Sequence, residues 1–131
     1  MAAGTAAGRG LDVTIVERNQ RMARKLMITG KGRCNITNNC GIDEFIAKVP
    51  RNGRFLYSAI NLFSPQDIMA FFEENGVKVK TERGNRVFPV SDRARDVVDP
   101  LVSFAKKSGC RFKQGRAAKL ILEDDYENNG N

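Results

Sequence analysis

The stretch Leu11-Asp12-Val13-Thr14-Ile15-Val16-Glu17 decides the fold class of this chain. Its β-branched and apolar residues form the short, nearly continuous run expected of a buried parallel strand over residues 11–16, and the acidic Glu17 stands at the carboxyl end. Residues 2–9 are rich in Ala and Gly, so they are predicted to form a helix with one small-residue face that lies close to a sheet. A helix followed by such a strand predicts the second half of a βαβ unit in an α/β fold.

Downstream, the apolar pattern predicts more helices and short strands. Apolar residues recur at helical spacing over residues 55–63, and Ser64-Pro65 indicates the N-cap and first position of a helix that ends at Gly76. Ser91 is the predicted cap of another helix, which Pro100 is expected to kink or restart because an interior proline removes a backbone hydrogen bond. The predicted strands are residues 77–80 and 87–89, which form a short hairpin, then residues 110–113 and 117–123, before a polar, frayed tail at residues 124–131.

Size and composition limit the classes of function. The 131 residues, 41% of them hydrophobic, predict one globular domain. The net charge of +7 suits a phosphate-bearing partner such as a dinucleotide or RNA, although a merely basic surface gives the same charge. The sequence contains no histidine, which excludes Ser-His and Cys-His catalysis and zinc sites that use imidazole. No metal site is predicted.

The cysteines and the apolar runs predict the compartment. Three cysteines are an odd number and no secretory segment precedes them, so a reducing cytoplasm is expected rather than a disulfide framework. No stretch approaches the roughly 18 apolar residues that span a bilayer, and no membrane partner is expected.

The run Arg24-Lys25-Leu26-Met27-Ile28-Thr29-Gly30-Lys31-Gly32-Arg33-Cys34-Asn35-Ile36-Thr37-Asn38 is the most unusual stretch. Glycines allow close backbone approach, cations offset phosphate charge, and Asn and Thr donate or accept hydrogen bonds at ring edges. Residues 18–41 are therefore predicted to be an irregular loop that crosses a ligand. Glu17 before it suits the two hydroxyls of an adenosine ribose. From the residues alone, a basic surface loop and a solvated turn glutamate stay open as alternatives.

Several landmarks along the chain resemble one family. They are Glu17-Arg18, Arg24-Lys25-Leu26, the run from Gly30 to Asn38, Phe55-Leu56, Phe71-Phe72-Glu73, Glu82-Arg83-Gly84 and Arg86-Val87-Phe88-Pro89-Val90-Ser91-Asp92. In this order, over roughly residues 1–123, they resemble the HI0933-like (BaiN/YhiN-type) flavoproteins. The two long runs carry most of the specificity.

The resemblance implies an FAD-dependent oxidoreductase with a Rossmann-like fold of the two-dinucleotide-binding-domain type. It implies a small organic substrate, with NAD(P)H or oxygen as the second redox partner. Glu17 would hold the adenosine ribose, the loop would run along the cofactor towards the flavin, and the backbone near Ala118 would touch the adenine. The implied cofactor-binding residues are Glu17, Arg18, Arg24, Lys25, Gly30, Lys31, Gly32, Arg33, Cys34, Asn35, Thr37, Asn38 and Ala118.

The cysteines have no redox role in this interpretation. Cys34 has no C-x-x-C partner nearby, so it is assigned to the cofactor-binding loop and not to a disulfide relay. Cys40 and Cys110 are interpreted as small apolar residues.

Members of this family usually open with a strand and a Gly-x-Gly-x-x-Gly turn and continue into a substrate-side domain. Residues 1–123 are therefore expected to be a partial FAD-binding domain that lacks its first strand, and the isolated chain is expected to bind FAD weakly or not at all and to be inactive alone. A basic RNA-binding module or RNA-modifying flavoprotein and an inert structural remnant are the alternatives. Base-stacking RNA modules expose aromatic residues, whereas the Phe residues here are predicted to lie mostly on helical core faces.

Overall fold

The computed structural model describes residues 1–121, and the chain divides into two units. The first unit contains residues Met1–Met22 and the chain from Ala105 onward, and the second contains Ala23–Phe104. The elements in chain order are α1 (Ala2–Gly8), β1 (Thr14–Glu17), α2 (Arg24–Ile28), β2 (Thr37–Asn38), α3 (Ile42–Ala47), α4 (Tyr57–Leu62), α5 (Pro65–Glu74), β3 (Val79–Glu82), β4 (Arg86–Pro89), α6 (Ala94–Lys107) and β5 (Arg111–Gln114), with 3-10 turns at Thr29–Gly32 and Gly53–Leu56.

The first unit contains a parallel pair of strands. β1 pairs with β5 in the register Thr14 to Arg111 and Glu17 to Gln114. The Gly115 N–H extends the pairing by donating to the Glu17 carbonyl at 3.0 Å. The predicted helix, the first strand and the strand at residues 110–113 are confirmed, as is the α/β class with a parallel sheet. β1 alternates between exposed and half-buried positions instead of being buried throughout, and Val16 is 50% exposed.

The second unit is held by a three-stranded antiparallel sheet packed with helices. The strand order is β2-β4-β3, and the predicted hairpin corresponds to β3 and β4. The buried cluster at its core consists of Cys34, Phe72, Val77, Ala94 and Val97. On β4, Val87 is fully buried and Phe88 is 2% exposed. The central strand therefore supplies large apolar side chains to this unit.

The sequence signal at the start of α5 is confirmed in atomic detail. The Ser64 hydroxyl accepts a hydrogen bond from the Asp67 N–H at 3.2 Å, and the Asp67 carboxylate accepts one from the Ser64 N–H at 2.7 Å. This reciprocal pair is a capping box, and Pro65 occupies the first helical position. The bonds from Ser64 lower the pKa of the Asp67 carboxyl. α5 ends at Glu74, and Gly76 follows its C-cap with a φ of +83°, a backbone conformation that favours glycine.

Of the kink or restart expected at Pro100, the restart does not occur, because one continuous helix runs from Ala94 to Lys107. Ala94 and Val97 are each 2% exposed on the N-terminal side of the proline, and Leu101 packs against the same core cluster just after it. The packing of this apolar face continues past Pro100, so it offsets the backbone hydrogen bond that the proline removes.

Two further predictions are wrong. Residues 18–41 are not irregular throughout, because they contain α2, a 3-10 turn and β2, and the unpredicted α3 follows at once. These elements have two to six residues, too few to show a periodicity. Residues 117–121 form no strand, while residues 122 and 123 and the predicted tail lie outside the described residues. Leu120 is 89% exposed, and strand propensity without a pairing partner does not make a strand.

Two Phe residues are exceptions to the prediction that the Phe residues lie mostly on helical core faces. Phe88 is a core residue on a strand rather than on a helix, and Phe55 is 86% exposed. Tyr57 nearby is 50% exposed.

Among residues 1–121, no helix is both long enough and apolar enough to cross a bilayer.

Candidate functional site

Glu17 stands at the carboxyl end of β1, the edge of a parallel sheet where α/β proteins bind ligands. Its carboxylate oxygen Oε1 accepts two hydrogen bonds from Asn19, one from the backbone N–H at 2.9 Å and one from the side-chain Nδ2 at 2.6 Å. The side chain is half-buried. A carboxylate held in this way has a fixed direction at the strand end.

The loop after α2 has an unusual backbone. Its residues with positive φ are Gly30, Lys31, Gly32 and Cys34. Gly30 has a second constraint, because a Cβ there would lie 3.0 Å from the backbone nitrogen of Asn35 and 3.0 Å from a ring carbon of Phe88. Gly30 thus allows the chain to turn tightly against β4.

Cys34 belongs to the core rather than to an open surface. It is 1% exposed and packs in the cluster with Phe72 and Val77. Burial raises the pKa of its thiol, and a hydrogen bond with Thr29 opposes that shift. A raised pKa disfavours the reactive thiolate, which argues against a redox role for Cys34.

Arg33 is engaged by two carboxylates. Its Nη1 lies 2.9 Å from Glu82 and 3.3 Å from Asp92, and its guanidinium stacks 4.0 Å from the Phe88 ring centre. Lys80 pairs with Asp92 at 2.7 Å. We call Arg33, Lys80, Glu82 and Asp92 the ion-pair network. Hydrogen bonds from the two cations lower the pKa of both carboxyls, and those to the carboxylates raise the pKa of Arg33 and Lys80.

The amides of the loop fasten β2 in place. With its nitrogen facing the two carbonyls, Asn35 donates to Val87 at 3.1 Å and to Thr37 at 3.0 Å. Asn38 Nδ2 donates to the Gly84 carbonyl at 2.8 Å. The other amide oxygen, Asn38 Oδ1, is buried and has no donor within residues 1–121. The Thr37 hydroxyl likewise has no hydrogen bond in that part of the chain.

The other predicted residues lie on the surface. Arg18, Arg24, Lys25 and Lys31 are exposed cations that form no ion pair within the described residues. Ala118 is exposed in the irregular segment after β5. Glu17, Arg18 and Ala118 belong to the first unit, and the predicted residues from Arg24 to Asn38 belong to the second.

A cleft of about 360 Å³ lies beside β2 in the second unit. Its polar side is formed by Asn35, Thr37 and Asn38, and its apolar walls by Ile36, Phe45, Ile60, Phe63, Pro65 and Ile68. A larger hollow of about 520 Å³ separates the end of α5 from the start of α6, and its lining includes Lys78, Asp96 and Asp99. Only the first cleft contains predicted site residues, so we call it the β2 cleft.

The sequence interpretation missed several residues that shape these regions. Asn19, which orients Glu17, had no signal beyond its place two residues after the carboxylate. Glu82 and Asp92 did have a signal, since both lie in landmark runs, but nothing in their spacing indicated that they meet Arg33. Phe45 reaches the β2 cleft from α3, and Phe63 reaches it from the position that follows α4, so both are distant in sequence from β2.

Comparisons with known proteins give a match to one family model and include two curated relatives. The family model described as the HI0933-like protein Rossmann domain matches residues 1–129. A ribosomal RNA dihydrouridine synthase of Escherichia coli (strain K12) is 26% identical over 116 residues, which are 88% of this chain and 28% of that protein. A 3-dehydro-bile acid delta(4,6)-reductase of Clostridium scindens is 29% identical over 89 residues, which are 68% of this chain and 21% of that protein. The chain thus spans about a quarter of the length of these relatives.

Proposed function

Since the chain belongs to the HI0933-like protein family, whose members are FAD-binding oxidoreductases, we propose that it is the part of such an enzyme that binds the adenosine, the pyrophosphate and the edge of the flavin. The observation that carries this proposal is the Glu17 carboxylate, which Asn19 orients at the carboxyl end of a parallel strand. In dinucleotide-binding folds an acidic residue at this place accepts hydrogen bonds from the ribose hydroxyls.

The residues fit the chemical groups of FAD. Glu17 provides the acceptor for the ribose. Arg24, Lys25 and Lys31 are exposed cations able to offset pyrophosphate charge, in contrast to Arg33, which Glu82 and Asp92 engage. Bound FAD would supply the group that carries hydride or electrons, while the chain supplies position and electrostatics.

We propose that the reaction reduces a carbon–carbon double bond in a small organic substrate, with NAD(P)H as the source of electrons. The names of both relatives support the reduction of a double bond, and the name of the bile acid reductase supports a small organic substrate. Dihydrouridine is uridine with one ring double bond reduced, and a delta(4,6)-reductase acts on a ring system with two such bonds. In each case the double bond is conjugated with a ring carbonyl. One hydride and one proton are added across the bond.

Flavin retention tests the proposal. The chain would be purified alone and as a chimera in which it replaces the matching 28% of the E. coli relative, and absorbance would be recorded from 350 to 500 nm. Flavin in the chimera, with less or none in the chain alone, is the expected result. A correctly folded chimera without flavin would contradict the proposal, and near-stoichiometric flavin in the chain alone would overturn the expectation that the chain binds FAD weakly.

An RNA-modifying flavoprotein is the second candidate, and one observation favours it. Phe55 and Tyr57 are exposed beside the exposed cations Arg51 and Arg54, so aromatic and basic groups occur together on one segment. The expectation that core burial of the Phe residues argues against RNA does not hold for this segment. Binding of single-stranded RNA that weakens with salt would favour an RNA partner, and binding with no flavin effect would favour the basic RNA-binding module over the flavoprotein.

A further inference from the structure

We propose that the β2 cleft is the substrate site and that the substrate enters it as an uncharged ring that carries a carbonyl group. The inference rests on the proposed function for the class of reaction. The position of the site and the absence of charge on its ligand are inferred from the residues that line the cleft.

The walls of the β2 cleft select against charge. None of its nine lining residues is ionisable, and six of them are apolar. Phe45, Ile60 and Phe63 offer flat or branched apolar surface from two helices and the residue that follows the second. An ionised ligand would lose its hydration there without meeting a counter-charge. A volume of about 360 Å³ lies within the range of small-molecule sites, in which a few polar groups orient a mainly apolar ligand.

The polar edge of the cleft suits a carbonyl next to a donor. The Thr37 hydroxyl, without a hydrogen bond in residues 1–121, is able to donate to a ligand carbonyl. Asn38 Oδ1 is shielded from water and lacks a donor, while its Nδ2 is held by the Gly84 carbonyl. A ligand N–H or O–H that reached this oxygen would satisfy it. Asn35 is committed to two backbone carbonyls and acts as a support.

The larger hollow between α5 and α6 does not compete for this role. Lys78, Asp96 and Asp99 line it, so it presents charges of both signs to any ligand. It also contains none of the residues predicted to contact the cofactor. The β2 cleft is the one that shares Asn35, Thr37 and Asn38 with the loop proposed to reach the flavin.

A matched pair of ligands tests the charge selection. Uridine and orotidine differ by one ring carboxylate, and each would be titrated into the ¹⁵N-labelled 131-residue chain without flavin, with amide shifts as the readout. Uridine is expected to shift amides of residues 35–38 and 63–68 in a saturable way, and orotidine to bind about tenfold or more weakly. Saturable shifts elsewhere, equal affinities, or no uridine shift at millimolar concentration would each overturn the proposal.

A pair of variants tests the polar edge. Thr37→Val keeps the shape of the side chain and removes the hydroxyl, so uridine affinity is expected to fall about fivefold, as the loss of one hydrogen bond predicts. Thr81→Val is the control, since Thr81 lies on β3 outside the cleft, where its hydroxyl accepts from Asn39. Unchanged affinity in Thr37→Val, or an equal loss in Thr81→Val, would contradict the assignment. The uridine titrations contain no flavin, so they test the β2 cleft independently of FAD binding. If uridine binds in the cleft but the folded chimera lacks flavin, the cleft is supported and the proposed function is contradicted.

Discussion

The two regions predicted to bind the cofactor are built in opposite ways. At the end of β1, a single carboxylate, Glu17, is held by two hydrogen bonds from Asn19 and lies half-buried at a strand end. In the loop from Gly30 to Asn38, the most conspicuous residues instead serve the scaffold. Gly30 permits a close approach, Arg33 joins the ion-pair network and Cys34 fills the core. The unusual residues of this loop therefore reflect the constraints on its backbone and packing as much as any contact with a ligand.

Substitution of Gly30 should give the largest effect and tests the scaffold half of this comparison. Gly30→Ala places a Cβ 3.0 Å from Asn35 and Phe88 at a φ of +54°, so the free energy of unfolding in urea should fall by about 3 kcal/mol. The control is Gly32→Ala, which has a φ of +84° with no atom within 4 Å of the added Cβ and should cost only about 1 kcal/mol. Equal losses would show that crowding against Phe88 is unimportant.

The ion-pair network should have a smaller effect that depends on pH. Because the cations lower the pKa of Glu82 and Asp92 in the folded chain, the stabilisation is present above the unfolded values near 4 and is lost as the pH falls through the lowered ones. Arg33→Met keeps an apolar stem over Phe88 but removes the charge. Its unfolding midpoint should lie below that of the wild type at pH 7 and converge with it in acid, as the pH falls through the lowered pKa values of both carboxyls.

Arg95→Met is the matched control for this experiment. Arg95 pairs with Asp99 at 3.3 Å on the open surface of α6, where both side chains are more than half exposed. Such a pair contributes little to stability, so its removal should leave the midpoint nearly unchanged at either pH. A gap between Arg33→Met and the wild type that persists after both carboxyls are protonated would assign the effect of Arg33 to packing on Phe88 instead of charge.

Local sequence signals predicted the elements whose determinants lie close together in the chain. Ser64, Pro65 and Asp67 fixed the start of α5, and the β-branched run before Glu17 predicted β1. The parallel pairing of β1 with β5 follows from the fold class that these signals indicated. Strand propensity failed at residues 117–121, since it says nothing about whether a partner strand is present.

The candidate site was predictable only in part, because its determinants are distant in sequence. The resemblance indicated the loop, but Arg33 and Glu82 are 49 residues apart, and only the structure shows that they meet. The β2 cleft is also non-local, since it combines an edge strand with Phe45 from α3 and Ile60 from α4. In the same way, the restart that was one of the two outcomes expected at Pro100 does not occur, because packing on both sides of the proline outweighs a local backbone preference.

The contrast between the two regions depends most on the role of Glu17 as the ribose acceptor. The affinities of FAD and FMN test that role most directly. FAD and FMN would be titrated into the flavin-free chimera and its Glu17→Gln variant, with quenching of flavin fluorescence as the readout. Only FAD carries the adenosine ribose, so the substitution should weaken FAD about tenfold and leave FMN unchanged, as the loss of charged hydrogen bonds predicts. Unchanged FAD affinity, or an equal loss for FMN, would contradict the placement of the ribose at Glu17.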